Sequence, residues 1–153
     1  MGWRLRASTG SLQMNQLIRF AFVAACVLSA SIAYADRTPA PPGAEVYFIS
    51  PKDGATVTSP VTVRFGLKGM GVAPAGVAFD NTGHHHLIID SELPPMDAPV
   101  PNDAQHLHFG KGQTETTVNL QPGKHTLQLL LGDQTHMPHN PPVVSKKITI
   151  TVK

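Results

Sequence analysis

Residues Pro60–Leu67 read PVTVRFGL. Val61, Val63, Phe65 and Leu67 alternate with Thr62, Arg64 and Gly66, the period of two that a half-buried β-strand requires. Working outward, the same pattern of short runs divided by Gly, Pro, Asn and Asp recurs to both sides. Upstream, EVYFIS (45–50) precedes the turn PKDG (51–54). Downstream, a Gly-rich loop, KGMGVAPAGV (68–77), leads to HHHLIID (84–90). A proline-rich connection, SELPPMDAPVPND (91–103), leads on to QHLHF (105–109) and TETTVNL (114–120). After the turn QPG (121–123) come KHTLQLLLGD (124–133) and PVVSKKITITVK (142–153). No stretch carries a helical period.

These runs predict seven strands, near 45–49, 60–67, 84–90, 105–110, 114–119, 124–131 and 143–152. Seven short strands with turn signals between them point to an all-β, immunoglobulin-like β-sandwich. Val63, Phe65, Leu87, Ile89, Leu127 and Leu129 are its expected core.

The first 35 residues read differently. Arg19 is followed by an uncharged apolar run, Phe20–Ala33, and then by Ala33-Tyr34-Ala35. A basic end, a short apolar run and an A-x-A site make a secretory signal peptide. Cleavage is expected after Ala35, with Met14 as an alternative start, so the expected location is periplasmic or secreted. The apolar run is shorter than the ~20 residues of a membrane span, and no transmembrane segment is expected in the mature chain. Cys26, behind Val23-Ala24-Ala25, resembles a lipoprotein box, but the apolar run continues past it. The expected organisation is a signal at 1–35, a Pro-rich linker at 36–44 and a sandwich domain at 45–153.

Of 12 Lys and Arg, three (Arg4, Arg6, Arg19) precede residue 36, whereas all 10 acidic residues lie from Asp36 onward. The mature chain then carries 9 − 10 = −1 with neutral histidine, which gives no electrostatic basis for binding nucleic acid. Its single cysteine leaves with the signal, which excludes a disulfide, a cysteine-type zinc site and a cysteine nucleophile.

FISPKDGATVTSPVTVRFGLKGMGV (48–72), GHHHLIID (83–90) and the long run from Phe109 to Val152 together resemble the domain-of-unknown-function 4399 family of bacterial exported proteins. That resemblance spans nearly the entire mature chain. It implies the domain and carries no activity, substrate or partner with it.

All eight histidines lie in the mature chain. Strand alternation puts His84 and His86 on one face, and His85, Leu87 and Ile89 on the other, core-facing side. His84 and His86 are therefore expected roughly 6–7 Å apart on an outer or end surface. His106 and His108 form a second H-x-H pair, and His136 and His139 flank a proline-stiffened turn. Neutral imidazole is a ligand for zinc and copper, among other metals. The candidate metal ligands are therefore His84, His86, His106, His108, His136 and His139, with copper or zinc as the expected ion. Met70, Met96 and Met137 are candidate thioether donors that would favour Cu(I). His85 and His125 read as structural, and Asp90 and Asp133 as turn residues rather than ligands. Neither G-x-S-x-G nor H-E-x-x-H occurs, so no enzyme motif is present. Two main readings stay open: an exported metal-binding module, and a non-catalytic domain for adhesion, envelope structure or glycan binding. A metalloenzyme using histidine and carboxylate is a third. No partner other than a metal ion is indicated.

Overall fold

The computed structural model describes Met1, Gly2 and residues 37–153, and the expected signal peptide lies outside the described residues apart from Met1 and Gly2. From Arg37 onward the chain is all-β, with no helix among the described residues. Hence no helix there is long and apolar enough to cross a membrane.

Nine strands form: β1 (Glu45–Ser50), β2 (Thr56–Val57), β3 (Val61–Lys68), β4 (Gly71–Val72), β5 (Thr82–Ile89), β6 (His106–His108), β7 (Glu115–Val118), β8 (Gly123–Gly132) and β9 (Ile148–Val152). All seven expected strands are among them. The additional two, β2 and β4, are two residues long, too short to show any period in sequence.

The strands build a sandwich of two sheets. One runs β1-β3-β7, antiparallel throughout. The other runs β2-β9-β8-β5-β4, with β6 also on β5. The core lies between the sheets. It takes Val46 and Phe48 from β1, Val61, Val63 and Phe65 from β3, and Val118 from β7. From the other side come Leu87 and Ile89, then Leu127, Leu129 and Leu131, then Ile148, Ile150 and Val152. All six expected core residues are buried.

Two expectations differ from the structure. The last strand starts at Ile148 rather than Val143. Val144 makes only an isolated bridge to Leu130. There the Ser145 hydroxyl accepts the Leu129 N–H at 2.9 Å, and the Gln128 amide donates to the Ser145 carbonyl at 2.9 Å. Side-chain bonds replace ladder bonds, and the regular strand is delayed. Secondly, the Pro-rich stretch expected as a linker is docked from Arg37 onward. Pro39 bridges Asn140 in parallel fashion, and Arg37 donates to the carbonyls of Pro138 and His139.

The feature that positions the histidines is the outer face of β5 and β8. Leu127–Gly132 and Gly83–Ile89 are buried on both faces, so their exposure does not alternate. Ile88 and Leu130 on the outer side pack with Val100, and with Leu93, Met96 and Val144. The proline-rich connection between β5 and β6 thus folds back over its own sheet and seals it.

Candidate metal centre

His84 and His86 share the outer face of β5, as alternation dictates. They are not on an open surface, however: both are 0% exposed. Strand β6 pairs antiparallel with β5, so that His108 stands opposite His86 and His106 opposite Ile88. That register carries the second H-x-H pair onto the same face. On the other side of β5, Gly132 pairs with His84. A Cβ on Gly132 would stand 2.7 Å from Cε1 of His86, so only glycine there leaves the His86 ring its place. Gly110 does the same for His108, whose Cε1 and Nε2 occupy the space a Cβ there would need.

A fourth ring arrives from the loop after β8, organised by Asp133. Its carboxylate accepts from the Thr38 hydroxyl at 2.6 Å, from the Thr135 hydroxyl and N–H at 2.8 Å each, and from the Met137 N–H at 3.0 Å. Burial would raise the Asp133 pKa, but these donors hold it below the ordinary carboxylate value. The loop's tight turn places His136 at φ 69°, a left-handed conformation uncommon for a side-chain-bearing residue. Such strain persists only where surrounding contacts over-determine it. Here Asp133 O accepts the His136 N–H at 2.9 Å, and Val100 N–H donates to His136 O at 2.9 Å.

The four rings of His84, His86, His108 and His136 form one cluster, with every pair of ring centres 4.7 to 6.1 Å apart. Within it, His84, His86 and His108 each present a nitrogen, and these nitrogens lie within 4.8 Å of one another. Both ring nitrogens of His84 and of His86, and Nε2 of His108, are buried without a hydrogen-bond partner among the described residues. Buried polar atoms are nearly always paired, and each orphan costs about 1–3 kcal/mol. One nitrogen from each of the three rings converges at one place, so a single bound ion would satisfy three of these five orphans.

The electrostatics keep these rings neutral. Burial pushes His84 down to about 4, reinforced by the neighbouring His108 and His136. Burial, with the neighbouring histidines, pushes His86 down to about 3. Burial also lowers His108. An unprotonated imidazole keeps the lone pair that a metal needs. Such a site can bind a cation and order its ligands, and a coordination position left open could polarise water.

The other candidates lie elsewhere. His106 hydrogen-bonds through Nδ1 to the Asp103 carboxylate at 2.9 Å. His139 is buried beside Gly83, with Nε2 3.2 Å from the Thr82 carbonyl. Neither ring joins the cluster. Met70 packs against the main core and Met96 against the smaller outer one. His85 faces the core, its ring 5.1 Å from Phe65, and burial lowers it to about 4. His125 and Asp90 pair at 2.6 Å on the surface, as expected of structural residues. Sequence reasoning missed Gly132 and Gly110, and gave Asp133 only a turn. The available signal was GD closing a strand of leucines, a glycine where a strand face needs room.

A family model described as "Domain of unknown function (DUF4399)" matches residues 63–153, which include all eight histidines. No curated protein matches the chain, and no solved structure does.

Proposed function

The chain belongs to the DUF4399 family, whose description assigns no activity, and we propose from its site that it is an exported metal-binding module. His84, His86 and His108 are the ligands, and zinc or copper is the ion. One observation carries this reading: the ring nitrogens of His84 and His86 are fully buried, unpartnered, and converge on His108. Core-facing His85 is also buried without a partner, so what sets His84 and His86 apart is their convergence with a third donor. An all-imidazole set without thiolate or thioether suits Zn(II) and Cu(II) better than Cu(I). Export rests on Arg19, the apolar run to Ala33 and the A-x-A site at 33–35.

The test is metal analysis of protein purified without a histidine tag, followed by titration with Zn(II), Cu(II) and Cu(I). Binding is expected to raise the thermal midpoint. At a free-metal concentration 100 times Kd the gain is about 2.7 kcal/mol, which is roughly 10 °C for a domain of about this size. The His84→Leu, His86→Leu double variant should remain folded and lose that rise. A wild-type midpoint unmoved by all three ions would leave the domain as a non-catalytic sandwich.

A further inference from the structure

The four histidines are not equivalent. His84 and His86 sit on the central strand β5 and are wholly buried. His108, on β6, and His136, on a loop, are only partly so. The side of the cluster open to solvent is therefore the side formed by His108 and His136. Of these two, His108 is one of the three converging donors and His136 is not.

Ring spacing says what His136 can do. Metal–nitrogen bonds are about 2.0–2.1 Å, and a ring centre lies about 1 Å behind its nitrogen. Four imidazoles arranged tetrahedrally on one ion thus hold their ring centres roughly 5 Å apart. Five of the six separations here are 4.7 to 5.2 Å, and the sixth, His86 to His136, is 6.1 Å. The cluster is close to a tetrahedral set, with His136 set back from one corner. His136's backbone is fixed on both sides, by Asp133 O and Val100 N–H. Its side chain can therefore rotate without unfolding the loop.

Resting on the metal-binding reading, we infer that His136 is an exchangeable fourth ligand. It caps a three-histidine floor and opens the route by which a divalent, nitrogen-preferring ion enters and leaves. With the cap on, the ion is four-coordinate and closed. With the cap swung away, one coordination position opens to water or to an incoming donor, while three bonds hold the ion. A site so built suits an ion handed on to an acceptor better than one locked in for stability, because fixed structural sites use four permanent ligands.

The experiment uses Co(II), whose visible spectrum reports coordination, on the full chain and on His136→Gly. Glycine suits the left-handed backbone at position 136, so this variant is expected to keep the wild-type thermal midpoint without metal. Wild type should give the intense visible bands of four-coordinate cobalt, unmoved by azide. His136→Gly should still bind cobalt, should change spectrum on adding azide, and should regain the wild-type spectrum with free imidazole. Its release of cobalt to a chelator should be at least ~10-fold faster, the lower end of what losing even an outer partner of a metal ligand costs. A wild-type spectrum and release rate in folded His136→Gly would overturn the cap. A cobalt-bound wild type that azide shifts would overturn it too. Failure of wild type to bind cobalt, zinc or copper at all would instead sink the underlying metal site.

Discussion

The two outer faces of the sandwich are built on opposite terms. On the sheet β1-β3-β7 the outward residues Glu45, Tyr47, Thr62, Arg64, Glu115 and Thr117 are exposed. Their polar groups meet water or each other, as Arg64 meets Glu115 at 2.8 Å. The Tyr47 ring lies flat over Gly66, covering backbone that has no side chain of its own. On the paired strands β8 and β5 of the other sheet the outward residues His84, His86, Ile88, Gln128, Leu130 and Gly132 are all buried, whereas Thr149 on neighbouring β9 is exposed. A polar group on the first face costs nothing to keep. A polar group on the second must find a partner or lose free energy. The open face is where this fold would be content as a plain sandwich. The sealed face, with imidazoles and no partners, is where it departs from one, and rules broken locally tend to mark function.

The sharpest way to break this contrast is acid. His84 and His85 titrate near 4 and His86 near 3 in the folded protein, all held down mainly by burial. Unfolded, they titrate near 6.5. The unfolded state therefore takes up protons first, and stability falls as pH drops below 6.5. The loss grows until the folded values are reached, then levels off. Three such groups together cost several kcal/mol by about pH 5, a large share of a small domain's stability. Metal-free protein is thus expected to unfold cooperatively between pH 6.5 and 4, followed by circular dichroism. Replacing His84 and His86 by Leu should move the midpoint to lower pH. An unchanged midpoint would mean that the sealed face is wet.

Next in size is the cover itself. Leu130 points outward from β8, yet it is 0% exposed beneath Val100. Leu130→Ala should cost about 2–5 kcal/mol in denaturant unfolding, the range for core leucines. Thr62→Ala, outward on the opposite sheet, should stay within about 0.5 kcal/mol. Similar costs at the two positions would erase the difference between the faces.

How much of this could be read from sequence follows from the range of the interactions. Alternation is local, so Val61–Leu67 announced its strand, and the partition of His84 and His86 from His85 followed from parity alone. The approach of His108 to His86 depends on the β5–β6 register across a connection of 16 residues, Asp90–Gln105, which no local period reveals. The burial of the cluster depends on Leu93, Met96 and Val100 folding back onto Ile88. The prolines of that segment made it look like a plain connection. His106 and His139 drew attention by composition, but composition does not know that Asp103 or the Thr82 carbonyl stands within reach. His136 owed its place to a turn fixed by the buried Asp133, whose four donors come from Thr38, Thr135 and Met137.

The smallest expected effect has the opposite sign in pH and sits outside the sealed face. His125 Nδ1 lies 2.6 Å from the Asp90 carboxylate, and Nε2 lies 2.8 Å from the Gln121 carbonyl. The Asp90 hydrogen bond raises the His125 pKa above its ordinary value, and the Gln121 carbonyl adds to this. Here the folded state holds the proton more tightly than the unfolded one. The contribution is fully present below about 6.5 and is lost as pH rises through the raised folded value. With Asp90 well exposed, water screens the pair, and its worth is a few tenths to about 1 kcal/mol. Asp90 also accepts the Thr126 N–H at 2.7 Å, so Asp90→Ala would remove two things at once. His125→Gln is the cleaner change, since an amide can still reach the Gln121 carbonyl but carries no charge. It should lower stability at pH 6 and leave it unchanged at pH 9, read as the difference between two urea midpoints. A loss of equal size at both values would show that the ring acts by packing rather than by its charge. The strongly pH-dependent histidines would then be the buried ones, His84 and His86 on the sealed face and His85 in the core.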